Sequence, residues 1–269
     1  MIKQFGDHNW RQLRIPETPE FLPRRTRYGD DGSWSNGLTP IAYQDKVSIL
    51  EWGDLKSALD KSHEDQSQPM YFQRDTWLKE GERYSQGNIG YCWSFAGTAC
   101  MADCRAAEGK ETVQLSAVSM GYLVGWKNKG NYLESYINGV RDTGVASVEY
   151  VDGDINSTNR NPDTYKDGWK EDRKKYRLAE IWDTDARSGD RTMILHCATI
   201  LALTARPIHG AWNWWGHSVD LCGMRFDESL PNNVAFILRN SHNEDDFLEL
   251  TGSRAVPDEA YAYVSTVLA

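Results

Sequence analysis

The polarity pattern of this chain changes period near Pro207. Before that point apolar residues recur at helical spacing, as in "CWSFAGTACMADCRAA" (92–107) and "DRTMILHCATILALTA" (190–205). After it, "GHSVDLCGM" (216–224), "NVAFILRNS" (233–241) and "DFLEL" (246–250) read as core strands. A helix repeats its faces every 3.6 residues and a strand every two, so the two halves call for different partners. Helices first and strands second imply an α+β fold with two segregated lobes and a cleft between them.

Three further helices are expected. "VSILEWGDLKSALDKSH" (47–63) places Ile49, Trp52, Leu55 and Leu59 on one face. "SAVSMGYLV" (116–124) has Ser116 in the N-cap position, and "LESYINGVRDTG" (133–144) closes on Gly144. The polar stretch 153–190 reads as a surface excursion with one basic helical turn. Residues 1–45, with Pro16, Pro19, Pro23, Pro40 and the "PRRTR" cluster at 23–27, read as an extended arm. The expected organisation is therefore an arm (1–45), a helical insertion or lead-in (46–85) and a main body (86–269). Within the body the helical lobe covers about 86–152 and the β lobe about 190–269.

Composition narrows the partners. A formal charge of -9 argues against nucleic acid, whose phosphates demand an excess of Lys and Arg. The N-terminal stretch lacks an apolar signal core, and "MILHCATILALTA" is too short and polar to span a bilayer, so no membrane association is expected. The 5 cysteines lack CxxC spacing and no HxxxH cluster is present, so neither zinc nor another cofactor is called for. Free thiols suit a reducing compartment: the cytoplasm, or a particle assembled inside the cell.

One thiol is placed differently from the rest. Cys92 stands between two aromatics in "SQGNIGYCWSF" (85–95), at the expected start of a helix. A thiol attacks carbonyl carbon as thiolate, which a helix N-terminus and an adjacent imidazolium both favour. Of the 6 histidines, His8 and His63 lie in the irregular N-terminal region and His196 within an apolar helix. His217 opens an apolar strand after "WNWWG", beside a glycine that leaves room for substrate. Asn240 ends the next strand, where it can orient that ring. Cys100, Cys104, Cys197 and Cys222 are expected as core thiols.

These residues carry a resemblance to the papain-like cysteine proteases. "QGNIGYCWSF" resembles the family's nucleophile segment, "GHSVDLCGM" its histidine strand and "FILRNS" its asparagine strand. "VQLSAVSMGYLV" and "INGVRDTGVASVEYVDGD" are similar to two segments that lie between them. The steps from Cys92 to His217 (217 − 92 = 125) and to Asn240 (240 − 92 = 148) are close to the roughly 130–150 residues of that family. The resemblance implies a helical left lobe and an antiparallel, barrel-like β lobe with the active-site cleft between. It implies Cys92 as nucleophile, His217 as its ion-pair partner, Asn240 as the group that fixes the ring, and Gln86 with the Cys92 N–H as an oxyanion hole. Trp93, Gly130, Asn131, Trp215 and Gly216 would contact a peptide or protein substrate. Trp212, Trp214 and Trp215 are equally readable as cleft wall or as core.

The sequence departs from that family at several points. Ile89 stands where a bridged cysteine is usual, so the disulfide is absent. Tyr91 replaces a small residue, which predicts a narrower cleft. His242 replaces a tryptophan that shields the Asn–His hydrogen bond, which predicts a wetter contact. No helical prosegment is recognisable in the arm, so restraint would come from a partner, an assembly or weak catalysis. Two other readings stand beside the thiol endopeptidase. One is a weakly active or inactive structural component of a larger assembly, a virus particle among others, with the arm reaching a protein partner. The other is a transglutaminase-like acyltransferase, in which Asp220 or Asp227 would serve as third member in place of Asn240.

Overall fold

In the computed structural model the described residues are 2–13, 41–42, 47–72, 85–151, 161–184, 190–242 and 247–267. The PRRTR cluster and most of the expected arm lie outside them. Five α-helices are described: α1 (Leu55–Glu64), α2 (Cys92–Ala107), α3 (Leu133–Asp142), α4 (Trp169–Asp172) and α5 (Asp190–Ala198). The strands are β1 (Lys3–Phe5), β2 (Ile41–Ala42), β3 (Leu178–Asp183), β4 (Ile208–Trp212), β5 (His217–Phe226), β6 (Val234–Arg239), β7 (Leu248–Leu250) and β8 (Glu259–Thr266).

α2 is the axle of the molecule. Small and apolar residues occupy every side of it, and all positions from Cys92 to Arg105 are buried. A helix apolar all round must be enclosed. α3 covers one side and strands β4, β5 and β8 the other. The approach of α3 depends on Gly97, where a Cβ would lie 2.2 Å from the Tyr136 ring.

The strands form one sheet in the order β1-β7-β6-β5-β4-β8-β3-β2. Its centre is antiparallel, and the terminal pairs β1–β7 and β2–β3 are parallel. β1 and β2 end the sheet without pairing to each other, so the barrel-like lobe is open. Two cores result. One fills the sheet lobe with Trp212, Trp215, Leu221, Phe236 and Leu248, and the other fills the helical lobe with Trp93, Phe95, Met101, Met120 and Tyr136.

Several local expectations change. The stretch taken as a surface excursion contains β3, whose Leu178, Ile181 and Trp182 are buried against the two cores. Segment 117–124 is a 3₁₀ helix, and Ser119 Oγ donates to the Ser116 carbonyl at 2.7 Å where a Ser116 cap was expected. The 190–205 helix is α only to Ala198 and continues as a π turn over Thr199–Leu203. Thr199 and Thr204 hydroxyls bond carbonyls four residues back, at 2.7 and 2.6 Å, which loosens the regular ladder. The arm is partly built into the body, because β1 and β2 are strands of the sheet.

The insertion docks on the sheet lobe. Leu55 and Leu59 of α1 enter its core, with Ile49 and Trp52 beside them. Beyond the helix, the Gln68 amide pairs with Met224 of β5 as a peptide would. Its Oε1 accepts from Met224 N at 2.7 Å and its Nε2 donates to Met224 O at 2.9 Å.

Candidate active site

α2 begins at Cys92, so the thiol is carried on the first turn, at the positive end of the helix. The loop before it is tied from both sides. Tyr91 N donates to Ile89 O at 2.8 Å, and the Gln86 amide nitrogen donates to the same carbonyl at 2.8 Å. Gly90 N donates to Asn128 Oδ1 at 2.6 Å, and the Trp93 indole donates to the carbonyls of Gly90 at 3.0 Å and Lys129 at 3.3 Å.

His217 is the first residue of β5, and its Nε2 lies 2.9 Å from Asn240 Oδ1 in a buried contact. A carboxamide oxygen only accepts, so Nε2 carries the hydrogen and Nδ1 is left as the basic nitrogen. Gln86 joins the same group: its N–H donates to Ser241 O at 2.8 Å and its Oε1 accepts from Ser241 Oγ. Gln86, Asn240 and His217 are thus brought together, from three separate parts of the chain.

Cys92 reaches the same end of the sheet through the register of α2. The Cys100 thiol donates to Asp220 Oδ1 at 3.2 Å, and Glu108 accepts from Thr266 N at 3.1 Å. Leu221, Ile208 and Ala262 are aligned across β5, β4 and β8, so Thr266 lies further along the direction in which β5 runs. α2 therefore runs parallel to β5. Going back eight residues from Cys100 covers about 12 Å of helix, the length of three to four strand residues. That brings Cys92 level with His217, which stands three residues before Asp220.

The imidazole is enclosed by rings. Trp215 meets it edge-on at 4.8 Å and His242 stacks on it at 4.4 Å with 19° between planes. His242 is buried, so the contact expected to be wet is dry; a second imidazole covers it as an indole would. Tyr91 turns away from a cleft and into the helical core, with its ring 5.3 Å from Trp93, so the expected narrowing does not arise from it. Trp93 and Trp215, read as substrate contacts, are buried supports, whereas Gly130 and Gly216 keep partial exposure. Asn131 is buried and its Oδ1 accepts from Tyr132 N at 2.9 Å. Cys92 and His217 are each 0% exposed, so an incoming carbonyl must displace covering atoms.

The other cysteines behave as expected of core thiols. None of the five cysteines forms a disulfide, and all are buried. Burial pushes the Cys104 thiol up to about 12 and raises Cys197 and Cys222 as well. Cys100 is raised by burial and then by the Asp220 carboxylate. His196 is a satisfied core histidine, bonded through Nδ1 to the Thr184 carbonyl. His63 belongs to α1 rather than to irregular chain, with Nδ1 2.6 Å from the Tyr71 hydroxyl and Nε2 2.7 Å from Met224 O.

Two aspartates weighed as a third member are engaged elsewhere. Asp220 faces Cys100 and lies 3.2 Å from the Arg239 guanidinium, which also holds Asp103 at 3.0 Å. Asp227 bonds Arg225 at 2.8 Å and Ser229 at 3.0 Å, at the far end of β5. The buried Asp103–Arg239–Asp220 cluster was missed by sequence reasoning, as was the part played by Ser241. For Ser241 the signal was its place beside Asn240. The ion cluster left none, because its members are scattered along the chain. Among the described residues no group of His, Cys, Asp or Glu is arranged to hold a metal ion.

A long helix against an open, mainly antiparallel sheet, with a thiol at the helix start and an imidazole–carboxamide pair at the strand ends, defines the papain fold. Solved structures of that fold superpose on the chain. A procathepsin B from Trypanosoma congolense does so with a TM-score of 0.58 at 11% identity, covering 87% of this chain and 84% of that one. A digestive procathepsin L 3 of Tenebrio molitor gives 0.53 at 15%, covering 82% and 83%. Xylellain, a cysteine protease from Xylella fastidiosa, gives 0.52 at 15%, covering 70% and 84%. No protein-family model and no curated protein sequence matches the chain.

Proposed function

We propose that the protein is a papain-like thiol endopeptidase that hydrolyses peptide bonds through an acyl-enzyme on Cys92. The observation that carries this reading is the buried 2.9 Å contact of His217 Nε2 with Asn240 Oδ1, which leaves Nδ1 as the base at the level of the α2 start. In this mechanism the thiolate attacks the scissile carbonyl carbon and a C–S bond forms. The carbonyl electron pair moves to oxygen, where the Gln86 amide and the Cys92 N–H stabilise it. The imidazolium of His217 gives its proton to the departing amine as the C–N bond breaks. Water, deprotonated by His217, then attacks the thioester, the C–S bond breaks, and acid and thiolate are released. Peptide or protein is the substrate class, and neither metal nor cofactor takes part.

The complete burial of Cys92 and His217 favours one second reading, a closed papain-fold component of a larger assembly with little or no turnover. A transglutaminase-like route finds less support, since Asp220 and Asp227 are committed to arginines. One experiment separates these. The protein and a Cys92→Ala variant are treated with an electrophilic peptide probe at mildly acidic pH and then given a denatured protein library. Labelling of Cys92 alone, with cleavage lost in the variant, is the expected result. A probe that labels Cys92 no faster than an unfolded control peptide, with identical digests from both proteins, would establish the assembly reading instead.

A further inference from the structure

The rings around His217 continue outward to the other end of the chain. The turn that carries His217 is held by Trp215 N and Gly216 N donating to Trp212 O at 3.2 and 3.0 Å, and Gly216 adopts a left-handed φ of 63° just before the histidine. Trp215 meets His217 edge-on and stacks on Trp214 at 5.6 Å with 12° between planes. Trp214 is only partly buried, and its indole donates to Arg254 O at 3.2 Å. Over it lie two groups: the Trp10 ring, edge-on at 5.4 Å, and the Arg254 guanidinium, 5.0 Å from Trp214 and 3.9 Å from Trp10.

Trp10 is delivered by the N-terminal segment, which is fastened to the sheet lobe at several points. β1 pairs with β7, and Thr251 N donates to Phe5 O at 2.8 Å. Asp7 accepts from Ser253 N at 3.0 Å, and Phe5 and Leu13 are buried in the core on either side. The loop that follows β7 and carries Arg254 is thereby locked to the segment that carries Trp10.

We infer that Trp10 is a positioning residue for His217, acting through Trp214 and Trp215, a role that rests on His217 being the catalytic base. Asn240 Oδ1 accepts from the imidazole, and the rings packed around it restrain its tilt about that hydrogen bond. His242 stacks on the imidazole and Trp215 meets it edge-on. Trp215 is supported in turn by Trp214, and Trp214 by the Trp10 indole and the Arg254 guanidinium, brought from distant parts of the sequence. The N-terminal segment is therefore a working part of the site, acting through the two tryptophans between Trp10 and His217.

The test uses the full chain with labelled histidine side chains. Imidazole proton–nitrogen spectra are recorded for wild type, Trp10→Leu, Trp10→Phe and Arg254→Leu, with a His217→Gln variant to assign the ring. Displaced His217 resonances in the leucine variant, a smaller displacement in Trp10→Phe and unchanged His196 and His209 resonances are expected. Peptide turnover should then fall about twofold to tenfold in kcat with KM unaltered, as loss of an aromatic edge contact would give. Superimposable His217 resonances in folded Trp10→Leu protein would overturn the inference. Should that variant fail to fold, identity of Trp10→Phe and Arg254→Leu with wild type would overturn it equally. Lack of Cys92-dependent cleavage in the wild type would strike the peptidase reading alone, because the spectra do not depend on turnover.

Discussion

In the proposed mechanism His217 holds the proton taken from the Cys92 thiol and passes it to the leaving amine. Its orientation rests on Asn240, and the strength of that contact sets what a substitution removes. A buried hydrogen bond to a ring that becomes charged is worth about 1.5–3 kcal/mol. Asn240→Ala should therefore lower kcat by about 10-fold to 150-fold, with probe binding retained, measured as peptide turnover against active-site titration. Full activity in that variant would mean that another group holds the imidazole. At this scale the sequence was informative where chemistry is local: Cys92, His217 and Asn240 stand out by type and place, whereas Gln86 is singled out by the family resemblance alone. It said less about surroundings. His242 looks like a loss on paper because an imidazole is polar, but its flat ring, stacked on His217, keeps water out as an indole would.

Elements meet across the lobes through charge as well as packing. Asp103 of α2 and Asp220 of β5 share the Arg239 guanidinium at the end of β6, one residue before Asn240. Burial, and after it the neighbouring Asp103 charge, raise the Asp220 carboxyl well above its ordinary range. Asp220→Asn keeps the side-chain shape and relieves the crowding of two acids on one guanidinium, so it should cost less than about 1 kcal/mol. Arg239→Met leaves a buried carboxylate without its cation and should cost about 3–5 kcal/mol. Urea unfolding of the two variants measures both, and equal losses would show that the cluster needs Asp220 as much as it needs Arg239. The helices and central strands were legible because their apolar positions follow a clear period. β3 was not, since "LAEIWD" interrupts its apolar residues with Glu180 and ends a charged stretch. β4 and β8 are recognisable only from their neighbours, through tertiary pairing. Nor does periodicity reveal the 3₁₀ and π turns, which depend on hydroxyl groups competing for carbonyls.

The molecule as a whole should be sensitive to acid through a histidine remote from the chemistry. His209 of β4 is fully buried, 3.0 Å from both the Tyr263 and Ser218 hydroxyls, and burial lowers its imidazole to about 3. An unfolded histidine titrates near 6.5. Between those values the unfolded chain binds the extra proton, so stability is complete above about 6.5 and falls as pH drops toward 3. Two units of acidification, to about pH 4.5, should remove on the order of 2–3 kcal/mol. His209→Gln should unfold in urea with a correspondingly shallower dependence on pH, and an identical dependence in both proteins would refute the assignment.

Sheets end somewhere, and an unpaired margin invites another chain to continue the ladder. Here β7 would be such a margin, and three residues of β1 occupy it. Because β1 is so short, little template remains beyond it. The same strip of polypeptide that delivers Trp10 thus also leaves that margin only three residues long, a poor template for a further strand.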